Sequence, residues 1–109
     1  MADQAFTVDD NLAKQGSRLW LNKGCEGCHT IGKGPSSGPD LLNVQERREM
    51  DWLVRWLTDT EEMLDTDETA QQLLAEYNNT RMPDLKLRET EAKALIHYIA
   101  QRSAKKSSE

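Results

Sequence analysis

The sequence predicts an all-α fold on three observations. Apolar residues recur at three- and four-residue spacing in four separate segments. No segment alternates apolar and polar residues as a half-buried strand would. Five of the six glycines and two of the three prolines gather in residues 24–44, which marks one long irregular loop. About four helices therefore surround a single glycine-rich loop. With 109 residues, 37% hydrophobic and 30% charged, the chain makes one domain with a limited core of its own. A fold this small usually needs a staple.

The first helix is expected over residues 10–22. Thr7 and Asp10 give it a capping-box-like start, and Leu12, Gly16, Leu19 and Trp20 share one face. The loop follows, able to wrap closely around a flat group. Residues 50–58 form a short helix with Trp52, Leu53, Trp56 and Leu57 on one side. Residues 67–77 repeat Ala70, Leu73, Leu74 and Tyr77 at helical spacing. The last helix, over 89–102, carries Ala92, Leu95, Ile96 and Ile99, although Arg88 stands where a capping hydroxyl is expected. Residues 1–8 read as an N-terminal extension, 9–102 as the domain, and 103–109 as a polar, disordered tail.

The loop opens on Cys25-Glu26-Gly27-Cys28-His29. C-x-x-C-H is the attachment signature of c-type haem: the thiols form thioethers to the vinyl groups and the histidine binds iron. The two cysteines are the only ones in the chain, so no disulfide competes for them. Zinc would need two further N or S ligands, and only His97 is on offer. A redox dithiol would want a βαβ context, and no strand precedes the motif. The candidates for a second iron ligand are the methionines. Met1 is terminal, and Met50 and Met63 belong to helical patterns. Met82 sits in the loop Asn78-Asn79-Thr80-Arg81-Met82-Pro83-Asp84, where the following proline biases it toward extended backbone. A thioether opposite histidine favours ferrous iron and raises the potential. The plain alternative is a gap-filling methionine.

These features resemble the class I c-type cytochromes over roughly residues 9–102. The matching elements are Cys25-Glu26-Gly27-Cys28-His29, Gly38-Pro39-Asp40-Leu41, Met82-Pro83, and a terminal helix with Leu95 and Tyr98. Gly16 and Trp20 resemble the pair at which the family's first and last helices cross. The resemblance implies a small cytochrome c fold around one covalently bound haem, with His29 and Met82 as axial ligands. It also implies that the Pro39 carbonyl accepts from His29, as a ligating histidine generally finds an acceptor for its other N–H. Arg47, Arg48, Trp52 and Trp56 fall in the region that packs around the propionates in that family. They are candidate propionate contacts, against the plain reading of core indoles and solvated arginines. His97, off the centre of its stripe, reads as a half-exposed surface residue and not as a ligand. The long, charged stretch 45–67 departs from the compact family pattern.

The expected function is one-electron transfer between redox partners of a respiratory or related chain, with both axial positions filled and no substrate bound. The chain is thus read as a carrier and not an enzyme. The alternatives are a haem domain of a larger oxidase, reductase or dehydrogenase, and a haem enzyme or gas sensor with an open sixth position. A net charge of −5 argues against nucleic acid. No run approaches the ~20 apolar residues of a membrane span. Partners are expected to dock transiently at an exposed haem edge, where Lys23, Lys33, Arg81, Lys86 and Arg88 flank the two loops, and the chain is expected to be monomeric. Met1-Ala2-Asp3-Gln4 lacks a signal peptide's basic start and apolar core. The chain therefore reads as a mature or excised form belonging to the bacterial periplasm or the outer face of the cytoplasmic membrane.

Overall fold

A computed structural model describes residues 6–107, and every described element of regular structure is helical. Helix α1 spans Asp10–Asn22, α2 Val44–Arg47, α3 Met50–Thr58, α4 Thr60–Thr66, α5 Glu68–Glu76 and α6 Glu89–Ser107; one 3-10 turn covers Cys25–Gly27. The four predicted helices are all present. Two short ones are added, α4 within the charged stretch 45–67 and α2 at its start.

Local chemistry accounts for the starts of α1, α5 and α6. Asp9, not Thr7, caps α1: its carboxylate accepts the amides of Asn11 (2.9 Å) and Leu12 (3.1 Å). Asp67 caps α5 by accepting the Ala70 amide at 2.9 Å. At α6 the absent hydroxyl is offset by the other half of a capping box, as Glu91 reaches back to accept the Arg88 amide at 2.9 Å. The end of α6 corrects the expected disordered tail over residues 103–107, while 108 and 109 lie outside the described residues. The helix continues to Ser107 because Ser103 is fully buried and its hydroxyl accepts the Asn43 amide at 2.9 Å. Residues 1–5, most of the expected extension, lie outside the described residues, but Phe6 already packs on His97 with ring centroids 4.7 Å apart.

The main framework is α1 packed against α6, and α6 also contacts α2 and α3. Gly16 lies buried at the crossing. A Cβ there would run into the carbonyl oxygen of Ala94 and lie 2.7 Å from Tyr98 Cβ, so only hydrogen lets the backbones approach this closely. One turn on, the Trp20 and Tyr98 rings meet at 5.7 Å with a 51° tilt. Two apolar clusters result. One joins Trp20, Leu87, Leu95 and Ile99. The other joins Met63, Leu64 and Ala70, with Trp52, Trp56 and Leu74 packed on it. The charged stretch and the helix after it thus build a second wall: α4 and α5 pack together and α3 contacts α4.

Candidate haem site

Members of both clusters line one cavity of about 270 Å³. Trp20, Leu95 and Ile99 come from the first cluster, and Trp52, Trp56, Leu64, Ala70 and Leu74 from the second. Its remaining lining comes largely from the two loops. Every residue singled out in the sequence as a site residue is there: Cys25, Cys28, His29, Pro39, Arg47, Arg48, Trp52, Trp56 and Met82. A core divided by an apolar cavity fits a flat hydrophobic group that completes the packing.

The His29 side is built by the loop after the 3-10 turn. His29 Nδ1 lies 2.9 Å from the Pro39 carbonyl oxygen. That oxygen can only accept, so Nδ1 carries the proton and the Nε2 lone pair remains available to a metal. Gly38 makes the approach possible, since a Cβ there would lie 2.5 Å from His29 Cε1 and 2.9 Å from Nδ1. Further backbone bonds fix the loop: the Gly38 amide to Cys28 O at 2.8 Å and the Leu41 amide to Thr30 O at 2.9 Å. Both cysteines are free, Cys28 exposed and Cys25 half-buried. Burial pushes the Cys25 thiol above its ordinary value, with Glu26 adding to it against a backbone hydrogen bond.

Met82 reaches the cavity on a loop between α5 and α6. After α5, Asn78 and Asn79 both take left-handed backbone with φ of 59°, a conformation asparagine tolerates better than most residues. The Asn79 amide bonds Leu74 O at 2.8 Å and the Thr80 amide bonds Tyr77 O at 3.0 Å, which turns the chain back toward the cavity. Beyond it, Asp84 accepts the Lys86 amide at 2.9 Å. The other candidate ligands are elsewhere. Met63 is fully buried in the second cluster, and Met50 opens α3 away from the cavity. His97 accepts the Asp9 amide on Nδ1 at 2.9 Å, outside the cavity. Burial lowers its pKa against the opposing pull of Asp9, which favours the neutral ring that this bond requires.

The four candidate propionate contacts differ in their partners. Trp52 donates its indole N–H to Asp67 Oδ2 at 3.1 Å, so that donor is engaged. The two indoles stack, centroids 5.8 Å apart and 9° from parallel, with the Arg48 guanidinium 5.6 Å from the Trp52 centroid. Arg47 donates through Nη2 to the carbonyls of Asp40 and Leu42, each at 3.0 Å. The Trp56 indole N–H has no hydrogen-bond partner among the described residues. Sequence reasoning gave Asp40 and Asp67 no role. The signal for each was an acidic residue at a turn or cap, which marks a backbone acceptor without saying what it supports.

Among the described residues no three His, Cys, Asp or Glu side chains gather to hold a metal ion. The cytochrome c family model matches residues 13–103. The chain belongs to the cytochrome c family. Solved structures agree. Cytochrome c from Rhodothermus marinus is 28% identical with a TM-score of 0.81, over 96% of this chain and 88% of that one. The cytochrome c domain of a Pseudomonas putida protein is 37% identical with a TM-score of 0.75, over 85% of this chain and 92% of that one. An engineered form of the R. marinus protein bound to a carbene intermediate is also similar, with 27% identity, a TM-score of 0.76, and coverage of 95% of this chain and 88% of that chain. No curated protein matches at a significant level.

Membership brings one covalently attached c-type haem, for which Cys25 and Cys28 of this cytochrome supply the attachment signature. Haem-based electron transfer is the family's function. The intact mass should exceed the polypeptide's by one haem, and the haem should stay with the protein on a denaturing gel. Extraction by acid-acetone would contradict covalent attachment. Among the described residues no helix is long and apolar enough to cross a membrane.

Proposed function

We propose that this cytochrome is a one-electron carrier whose iron is held by His29 and Met82. The observation that carries the reading is that a histidine with Nδ1 committed to the Pro39 carbonyl and a methionine on a tethered loop line the same apolar cavity. Bound haem supplies the Fe(II)/Fe(III) couple. The chain's own residues set its surroundings. The Pro39 carbonyl strengthens the imidazole as a ligand, the thioether favours the ferrous state, and the two apolar clusters exclude water. For the propionates, Trp56 and the guanidinium of Arg48 are the donors we retain. Trp52 is withdrawn, because Asp67 holds its N–H, and Arg47 is first a brace for the loop.

Partners are redox proteins docking transiently. Lys23, Arg47, Arg48 and Arg81 line the cavity, so a cationic mouth on an acidic protein orients the encounter with an acidic partner. Of the expected rim, Lys33, Lys86 and Arg88 lie outside the lining, and Arg88 pairs with Glu91 at 3.7 Å. The periplasm or the outer face of the cytoplasmic membrane is the proposed location, where C-x-x-C-H attachment is normally made. The similarity to a cytochrome c domain of a P. putida protein favours a second reading with unchanged chemistry, a haem domain feeding a larger oxidoreductase.

Redox titration of the haem-loaded Met82→Ala variant tests the ligand set. The variant should retain haem, lose the weak far-red iron–sulfur band, bind carbon monoxide when reduced, and show a lower potential. An unchanged spectrum and potential would assign the sixth position to another residue.

A further inference from the structure

One carboxylate organises the loop that seats His29. Asp40 follows directly on Pro39, and its two oxygens collect three amides. Oδ1 accepts from Gly32 at 2.8 Å and Leu42 at 2.9 Å, and Oδ2 accepts from Gly34 at 2.9 Å. The Asp40 carbonyl is gripped in turn by Arg47 Nη2 at 3.0 Å. Burial works against ionisation here, but the Gly32, Leu42 and Gly34 amides and nearby Arg47 outweigh it and hold the carboxyl below its ordinary range. Proline has no N–H and no polar side chain, so its neighbours must fix where the Pro39 carbonyl points. On one side Gly38 admits the imidazole. On the other, Asp40 ties the outgoing chain to the loop segment only a few residues beyond His29.

We propose that Asp40 is the positioning residue of the proximal ligand. Its carboxylate fixes the Pro39 carbonyl against His29 Nδ1, and through that bond it sets the basicity of the imidazole and the reduction potential of the haem. The inference rests on the reading of His29 as the iron ligand. A firmly held acceptor raises ligand basicity and favours ferric iron. Loosening it raises the potential.

The test uses haem-loaded, reduced protein carrying Asp40→Asn or Asp40→Ala, followed by proton NMR and potentiometry. Asparagine keeps an oxygen for Gly32 and Leu42 but presents an N–H toward Gly34, whereas alanine keeps nothing. The His29 Nδ1 proton should exchange about tenfold faster in the alanine variant, the equivalent of one hydrogen bond. The asparagine variant should fall between alanine and parent, and the potential should rise in the same order. Ala13→Gly, fully buried on α1 and outside the cavity, is the control that loses stability with neither readout moving. If the alanine variant does not fold, the asparagine variant decides alone. Parent-like exchange and potential in a less stable Asp40 variant would reduce Asp40 to a structural brace and overturn the inference. If the parent's His29 protons carry no haem-induced shift, the ligand reading fails and takes this inference with it. Shifted protons in the parent that do not respond in the variants remove the inference alone.

Discussion

His29→Ala should yield no stable haem-loaded protein. The substitution takes the proposed proximal ligand from the iron and leaves the Pro39 carbonyl without its donor at 2.9 Å. An orphaned acceptor alone costs about 1–3 kcal/mol. It also empties the space that Gly38 leaves for the ring. The two apolar clusters meet across the haem cavity, so losing the haem's seat unfastens both walls. No other histidine is placed to substitute, since His97 is bonded to the Asp9 amide outside the cavity. Haem staining and absorbance of the purified variant give the readout. Parent-level haem with a parent-like spectrum would show that another residue holds the iron.

Gly16→Val should lower the unfolding midpoint clearly while leaving the proposed iron ligands in place. The new Cβ would lie 2.7 Å from the Ala94 carbonyl carbon and overlap its oxygen. These are backbone atoms and cannot swing aside as the end of a long side chain can. Overpacking usually costs ~1–3 kcal/mol, and a clash with backbone belongs at or above the top of that range. For a domain of about 100 residues, each kcal/mol is worth roughly 4–8 °C. The clash begins at Cβ, so Gly16→Ala should carry most of the loss. Neither His29 nor Met82 lies on α1 or α6, so the spectrum of the folded fraction should stay parent-like. Thermal unfolding followed by circular dichroism measures the effect. A Val variant melting with the parent would mean that the helix crossing tolerates a side chain at position 16.

The features legible along the chain are those written in short-range pattern. Helices α1 and α3 begin and end at their predicted residues because apolar spacing and breakers are local signals. Cys25, Cys28 and His29 are legible because attachment chemistry demands adjacency along the chain. Met82 and Gly16 stand out because a breaker-bounded loop and an isolated glycine in a helical pattern are visible without a fold. The remaining features depend on contacts between distant segments. Helices α2 and α4 are four and seven residues long, too short to form alone, and α4 buries Met63 and Leu64 only because α3 and α5 close around them. Residues 103–107 look like a polar tail until Ser103 meets Asn43, sixty positions away. The engagement of Trp52 by Asp67 and the three amides held by Asp40 follow the same rule. A side chain's polarity is local, but its hydrogen-bond partner is chosen by whichever backbone the fold brings within 3 Å or so.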